Sequence, residues 1–200
     1  MIMGKMKALV IGAVLLAAVP NAADAGWKVM AAGQPVAVAK SSMRVTPSSA
    51  WNRWSARPSK KGEIWTLDGV SLNELSFYAG IAPGEAIFKE RNKKDKPLPK
   101  FSAQMLAPEI VQLFEATSRI TLATSLFEID SVEPTTFLGK PGVRFTYHYS
   151  VQGDELRRNG EGRAAVINGK LYLSNFAAPA IHYFDASIGE VRGIMDGATL

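Results

Sequence analysis

The sequence predicts an α+β protein, an antiparallel β-sheet packed against two main helices. Three observations lead there. Asn168-Gly169 lies between two apolar runs, and this dipeptide is the strongest short-range hairpin signal. Ile110, Leu113, Phe114 and Thr117 repeat at i, i+3, i+4, i+7, while Phe184, Ile188, Val191 and Met195 repeat at i, i+4, i+7, i+11. Each series is one face of an amphipathic helix. The strand-like runs are grouped together instead of alternating one for one with helices, which is the α+β order.

Residues 1–25 read as an export signal. Lys5 and Lys7 form a positive start, Ala8 to Val19 has no polar side chain, Pro20 breaks the run, and Ala23-Asp24-Ala25 is an A-x-A cleavage pattern. The apolar run is too short to span a bilayer, which takes about 20 residues. No later stretch is long and apolar enough either, so a chain cleaved here carries no transmembrane span. Residues 26–200 are then one domain in the periplasm or outside the cell, large enough to bury its own core.

Along that domain, Val36 to Val45 carries one or two short strands, and Ser48 to Gly62 is turn-rich. Glu63 to Leu67 is a strand closed by the Asp68-Gly69 turn. Leu72 to Ile81 alternates Leu75, Phe77 and Ala79 with Glu74, Ser76 and Tyr78, and pairs back as a hairpin. Glu85 to Glu90 is a third short strand. Lys89 to Lys100 is a polar loop whose end Pro97 and Pro99 keep extended.

Pro108 then starts the first helix, and Glu109 suits its positive end. Four strands follow: Leu126 to Val132, ended by Pro134; Val143 to Tyr149; Arg163 to Ile167; and Lys170 to Phe176. In the second of these, Val143, Phe145, Tyr147 and Tyr149 share one face, with Arg144 and His148 on the other. In the C-terminal helix, Gly189 and Gly193 cost about 1 kcal/mol each relative to alanine, and their spacing permits close packing on the sheet.

This order of elements from Val36 to Leu200 resembles the PsbP-like fold: a strand-rich first half, a helix near Pro108 to Ser118, a meander and a returning C-terminal helix. The similarity is one of element order alone and is shared with many exported bacterial proteins. It implies an α/β/α sandwich and a small, usually non-enzymatic domain that binds or assembles with other proteins.

Composition narrows the chemistry. With no cysteine among 200 residues, the chain has no disulfide, thiol nucleophile or thiolate metal site. His148 and His182 are the two histidines, too far apart in sequence for an H-E-x-x-H motif. His182, Asp185 and Ser187 are sequence neighbours, whereas triad members converge from separate elements. Phosphate-loop and dinucleotide fingerprints are missing, so no catalytic residue, metal or cofactor is assigned. Glu128 and Asp130 share a strand face, read as solvated. Trp51, Trp54 and Trp65 read as packing residues before ligand platforms.

Lys89, Arg91, Lys93, Lys94, Lys96 and Lys100 are the main electrostatic feature. Export argues against a nucleic acid, leaving anionic envelope surfaces or a protein partner as what such a loop attracts. The candidate binding residues are Lys93, Lys94, Lys96, Arg144 and His148. The expected function is non-catalytic binding in the cell envelope. The alternatives are an enzyme acting on an envelope polymer around Arg144, His148 or His182, and a small carrier of apolar ligands.

Overall fold

A computed structural model describes residues 26–124, 126–151, 153–154 and 156–200. The signal-peptide reading falls on 1–25, outside the described residues. Ten strands and two helices follow in order. The first six are β1 (Trp27–Met30), β2 (Val36–Ala37), β3 (Arg44–Val45), β4 (Trp51–Trp54), β5 (Gly62–Thr66) and β6 (Glu74–Ile81). Helix α1 (Ala107–Leu122) precedes β7 (Phe127–Phe137), β8 (Lys140–Tyr149), β9 (Arg158–Ile167) and β10 (Lys170–Pro179), and α2 (Tyr183–Asp196) closes the chain.

Eight of the strands form one antiparallel sheet in the order β1-β4-β5-β6-β10-β9-β8-β7. The two halves of the chain meet where β10 pairs with β6, Leu173 opposite Tyr78. At the β9–β10 turn, Asn168 and Gly169 have φ of 51° and 71°, the left-handed geometry that a two-residue hairpin loop requires. β2 and β3 form a separate small ribbon.

Successive side chains of a strand point to opposite faces, and β10 shows the result. Leu171 and Leu173 enter one apolar cluster with Ile110 and Phe114 of α1, while Phe176 and Ala178 enter another with Val191 and Met195 of α2. Trp51, Trp65 and Phe77 fill the α2 cluster, and Phe127, Phe145 and Tyr147 fill the α1 cluster. The β8 rings lie over glycines of β9. A Cβ on Gly160 would sit 2.1 Å from the Tyr147 ring, and one on Gly162 would sit 2.2 Å from the Phe145 ring. Only residues without a side chain leave that space.

The Leu106 N–H before α1 donates to the Glu109 carboxylate at 2.6 Å, closing half of a capping box, and Pro108 is the second helical residue. α2 begins differently. His182 has φ 72° and ψ −60°, and the Tyr183 N–H donates to the Ile181 carbonyl at 2.9 Å, a strained γ-turn.

Four details differ from the sequence expectations. β1 and β4 lie in segments read as weakly patterned and turn-rich. The segment from Glu85 to Glu90 is not a strand: the Lys89 N–H donates to Pro58 and the Phe101 N–H to Glu85, without a continuous ladder. β7 runs past Pro134 to Phe137, because it is an edge strand and a missing N–H there interrupts no ladder on its outer side. No atom outside their own helix approaches a Cβ built on Gly189 or Gly193, so these glycines do not mediate close packing on the sheet.

Candidate functional site

The basic loop stands beside β5 and β6 and forms one wall of a cleft of about 460 Å³. Lys60, Lys61, Lys89, Lys93 and Lys100 line it, together with Glu85 and Glu90. Two lysines are matched: Lys61 pairs with Glu85 at 2.5 Å and Lys100 with Glu90 at 2.6 Å. The hydrogen bond from Lys61, then the Ala82 N–H, hold the Glu85 carboxyl below its ordinary range, and the hydrogen bond from Lys100 does the same for Glu90. Lys60, Lys89 and Lys93 have no ion pair among the described residues, so the cleft carries uncompensated positive charge. Lys94 is exposed on the loop, and Lys96 lines a smaller neighbouring cleft with Ile120 and Thr121 of α1.

Two adjacent cavities of about 260 Å³ and about 90 Å³ lie beneath α1, both lined by Glu74, Phe88 and Leu122. The larger is bordered by Trp54, Arg57, Tyr78, Lys89 and Arg91, the smaller by Phe114, Tyr147, Tyr149, Arg158 and Asn175. Phe88 stands between Tyr78 and Phe114, with ring centroids 5.2 and 6.1 Å away. The Tyr147 hydroxyl is matched, donating to Asn175 Oδ1 at 2.8 Å.

Glu74, by contrast, accepts no hydrogen bond and makes no ion pair among the described residues. Arg158, the cation facing it, is held by Asp154 at 3.0 Å and by the Ser71 carbonyl at 2.7 Å. Burial raises the Glu74 carboxyl from 4.5 to about 7, against a smaller opposing pull from Arg158. Burial also pushes Tyr149 up to about 12, with Glu74 adding to the shift.

Arg144 and His148, the candidates on β8, line neither of these cavities. Arg144 donates to Glu161 at 2.9 Å and reaches Glu133 at 3.5 Å. Glu161 is fully buried on β9 and also accepts two hydrogen bonds from Arg192 of α2 at 2.8 and 3.0 Å. Arg163 lies 3.6 Å from the same carboxylate and pairs with Asp196. Burial acts to raise Glu161, but the hydrogen bonds from Arg144 and Arg192 outweigh it and hold the carboxyl below its ordinary value.

His148 lies between two carboxylates, with Asp130 at 2.7 Å from Nδ1 and Glu128 at 3.5 Å from Nε2. A β-bulge between Ile129 and Ser131 places Asp130 there. Among the described residues no group of three or more His, Asp or Glu is arranged to hold a metal ion. His182 and Asp185 are exposed while Ser187 is buried, so these three do not converge. Trp51 and Trp65 are fully buried, and Trp54 stacks on Trp27 with centroids 6.1 Å apart.

No protein-family model matches the chain, and no curated protein sequence does. Among solved structures, the solution structure of cyanobacterial PsbP (CyanoP) from Synechocystis sp. PCC 6803 superposes with a TM-score of 0.55 at 14% identity, over 92% of this chain and 98% of that one. The fold is PsbP-like. Weaker overlaps occur with the apo immunity protein TplEi of the T6SS of Pseudomonas aeruginosa (TM-score 0.39, 12% identity, 76% of this chain and 45% of that one). LpqN of Mycobacterium tuberculosis, involved in cell envelope biogenesis, overlaps at a TM-score of 0.35 with 13% identity, over 89% of this chain and 86% of that one. Overlaps this low carry no argument about this chain.

Within the PsbP-like fold, sequence reasoning located the basic loop but not the lysines that complete its cleft. Lys60 and Lys61 lie before β5 and reach the loop only through the tertiary fold. It also missed Glu74. One glutamate alternating with apolar residues reads as a solvent-facing position, and only the structure shows that Ser76 and Tyr78 on the same face are buried.

Proposed function

We propose that this chain is a non-catalytic binding protein of the cell envelope, exported through residues 1–25 and built as an α/β/α sandwich, whose basic cleft engages an anionic envelope surface. The observation that carries this reading is the set of three unpaired lysines, Lys60, Lys89 and Lys93, around one open cleft. Cations outside an ion pair keep much of their attraction for external phosphates, and each basic side chain near an anionic membrane contributes about 1 kcal/mol. Lys94 and Lys96 extend the same positive field along the loop. The separate use of Arg144 and His148 also favours binding over catalysis. Arg144 is engaged by Glu161, and both ring nitrogens of His148 face carboxylates, so neither offers a free group to a substrate in a cleft.

Co-sedimentation with phosphatidylglycerol vesicles tests this. Replacing Lys60, Lys89 and Lys93 together by Gln is expected to weaken binding about a hundredfold at low salt, the sum of about 1 kcal/mol per lysine. Replacing Lys94 and Lys96 should add a smaller loss. Binding that survives all five substitutions, or that does not weaken as salt is raised, would remove the basis for this function.

A further inference from the structure

We propose that the larger cavity beneath α1 binds a small zwitterion, a phosphorylated amino alcohol of the phosphoethanolamine or phosphocholine type, with its ammonium group against Glu74 and its phosphate at Arg57, Lys89 and Arg91. The site shares Lys89 with the lysine cleft, but Glu74, Arg57 and Arg91 lie outside that cleft, and the ammonium end does not depend on it.

Three features of the cavity support the assignment. The Glu74 carboxyl has no hydrogen-bond or ion-pair partner among the described residues and stands on a wall with several aromatic rings. Unpaired acids are costly in such surroundings, and an incoming ammonium supplies the missing charge and donors. Phe88, Tyr78 and Trp54 line the larger cavity around it, and aromatic rings grouped beside a carboxyl are the setting in which amines and quaternary ammonium ions are held. At the mouth, Arg57, Lys89 and Arg91 make no ion pair among the described residues. Three cations there repel a simple amine and attract an acid, so the cavity complements opposite charges at its two ends. The cavity that holds Glu74 and the three cations, about 260 Å³, is just below the usual range for small-molecule pockets, about 300–1,000 Å³. That suits a headgroup and excludes a folded peptide.

The charge on Glu74 sets the pH dependence. The other ionisable groups facing it are Arg158 from β9, Tyr147 and Tyr149 from β8, Tyr78 from β6 and the three cations at the mouth. Burial shifts all three tyrosines upward, away from neutral pH. Glu74 is therefore the group that ionises near pH 7, and ammonium binding should strengthen as pH rises through that value.

Isothermal titration calorimetry on the full chain at pH 8 tests the site with glycerophosphoethanolamine, ethanolamine and glycerol phosphate. The zwitterion is expected to bind at least about tenfold more tightly than either half, since each end makes a charge-assisted contact. Glu74→Gln should remove that advantage and leave glycerol phosphate unchanged, with a melting curve showing the variant folded. Binding of the zwitterion at pH 6 should be weaker than at pH 8. Repeating the titration with micelle-solubilised phosphatidylethanolamine separates the sources: tighter binding there assigns a lipid headgroup, and tighter binding of the soluble compound assigns a free metabolite. Glycerol phosphate binding as tightly as the zwitterion, or a Glu74→Gln variant that binds the zwitterion normally, would overturn the proposal. Phosphatidylglycerol vesicle binding should be unaffected by Glu74→Gln, so failure of one reading leaves the other standing.

Discussion

Glu161 and Glu74 are the same residue type on the same sheet, facing different helices, and their surroundings drive them in opposite directions. On the α2 side, Glu161 is fully buried yet held ionised by Arg144 and Arg192, with Arg163 close by. On the α1 side, Glu74 is half-buried beside aromatic rings, and the nearest cation on the neighbouring strands, Arg158, is already taken by Asp154. The difference teaches that burial alone does not decide the state of a carboxyl. Hydrogen-bond donors aimed at it do: Arg144 and Arg192 supply them to Glu161 Oε2, whereas Glu161 Oε1 is buried without a hydrogen-bond partner and the Glu74 carboxyl receives none from the described residues. The Glu161 face pins α2 to β9. The other keeps an unsatisfied group inside a cavity, an arrangement that costs stability and has the character of a binding site.

The largest effect should come from breaking the arginine-bonded side. Glu161→Ala leaves Arg144, Arg163 and Arg192 facing one another without their shared acid, and should destabilise the fold by about 3–5 kcal/mol in urea unfolding at pH 7. The native Glu161 contribution has a defined pH sense. Its folded pKa is lowered, so its stabilisation is present above the unfolded value and is lost as pH falls through the folded one. A smaller loss than that of an ordinary surface pair would mean that the cluster is not the lock we describe.

Glu74→Gln should act with the opposite sign. Its folded pKa is raised, so below about pH 4.5 the carboxyl is protonated folded and unfolded and costs nothing. Between 4.5 and about 7 the unfolded chain ionises first and stability declines; above that the penalty is constant. The variant should therefore match the wild type at pH 4 and gain about 3 kcal/mol at pH 8, as read by urea midpoints at the two pH values. An equal gain at both would place its cause outside the ionisation of Glu74.

The smallest effect sharpens the contrast within the Glu161 cluster. Arg192→Met removes the more exposed of the two hydrogen-bonding arginines and should cost about 1–2 kcal/mol. It should also move the acid-unfolding midpoint to higher pH, since Glu161 then retains the hydrogen bond from Arg144 alone. An unmoved midpoint would show that Arg144 is sufficient.

The parts of the fold that local pattern controls were legible in the sequence. Ile110, Leu113, Phe114 and Thr117 are all buried as their spacing requires, and Asn168-Gly169 forms its turn. β4 was hidden because Pro47, Pro58 and Gly62 dominate the composition around a strand of four residues. The reach of β7 past Pro134 depended on its place at the sheet edge, which no local window contains. For the sites, the lysine run was visible as a charge block, whereas Lys60 and Glu74 take on meaning only from what the fold puts opposite them. Helices packed on the sheet turn polar-looking strand positions into interior ones, so alternation marked the direction of Glu74 correctly but not its surroundings.

Pro134 and the bulge at Asp130 lie on the same outermost strand. A neighbouring molecule seeking to extend the sheet would meet a missing donor at one place and an outward kink at another. The opposite border is a strand of only four residues. Neither rim offers a long, regular template, so the chain is protected against edge-to-edge self-association, even at high concentration in a crowded compartment.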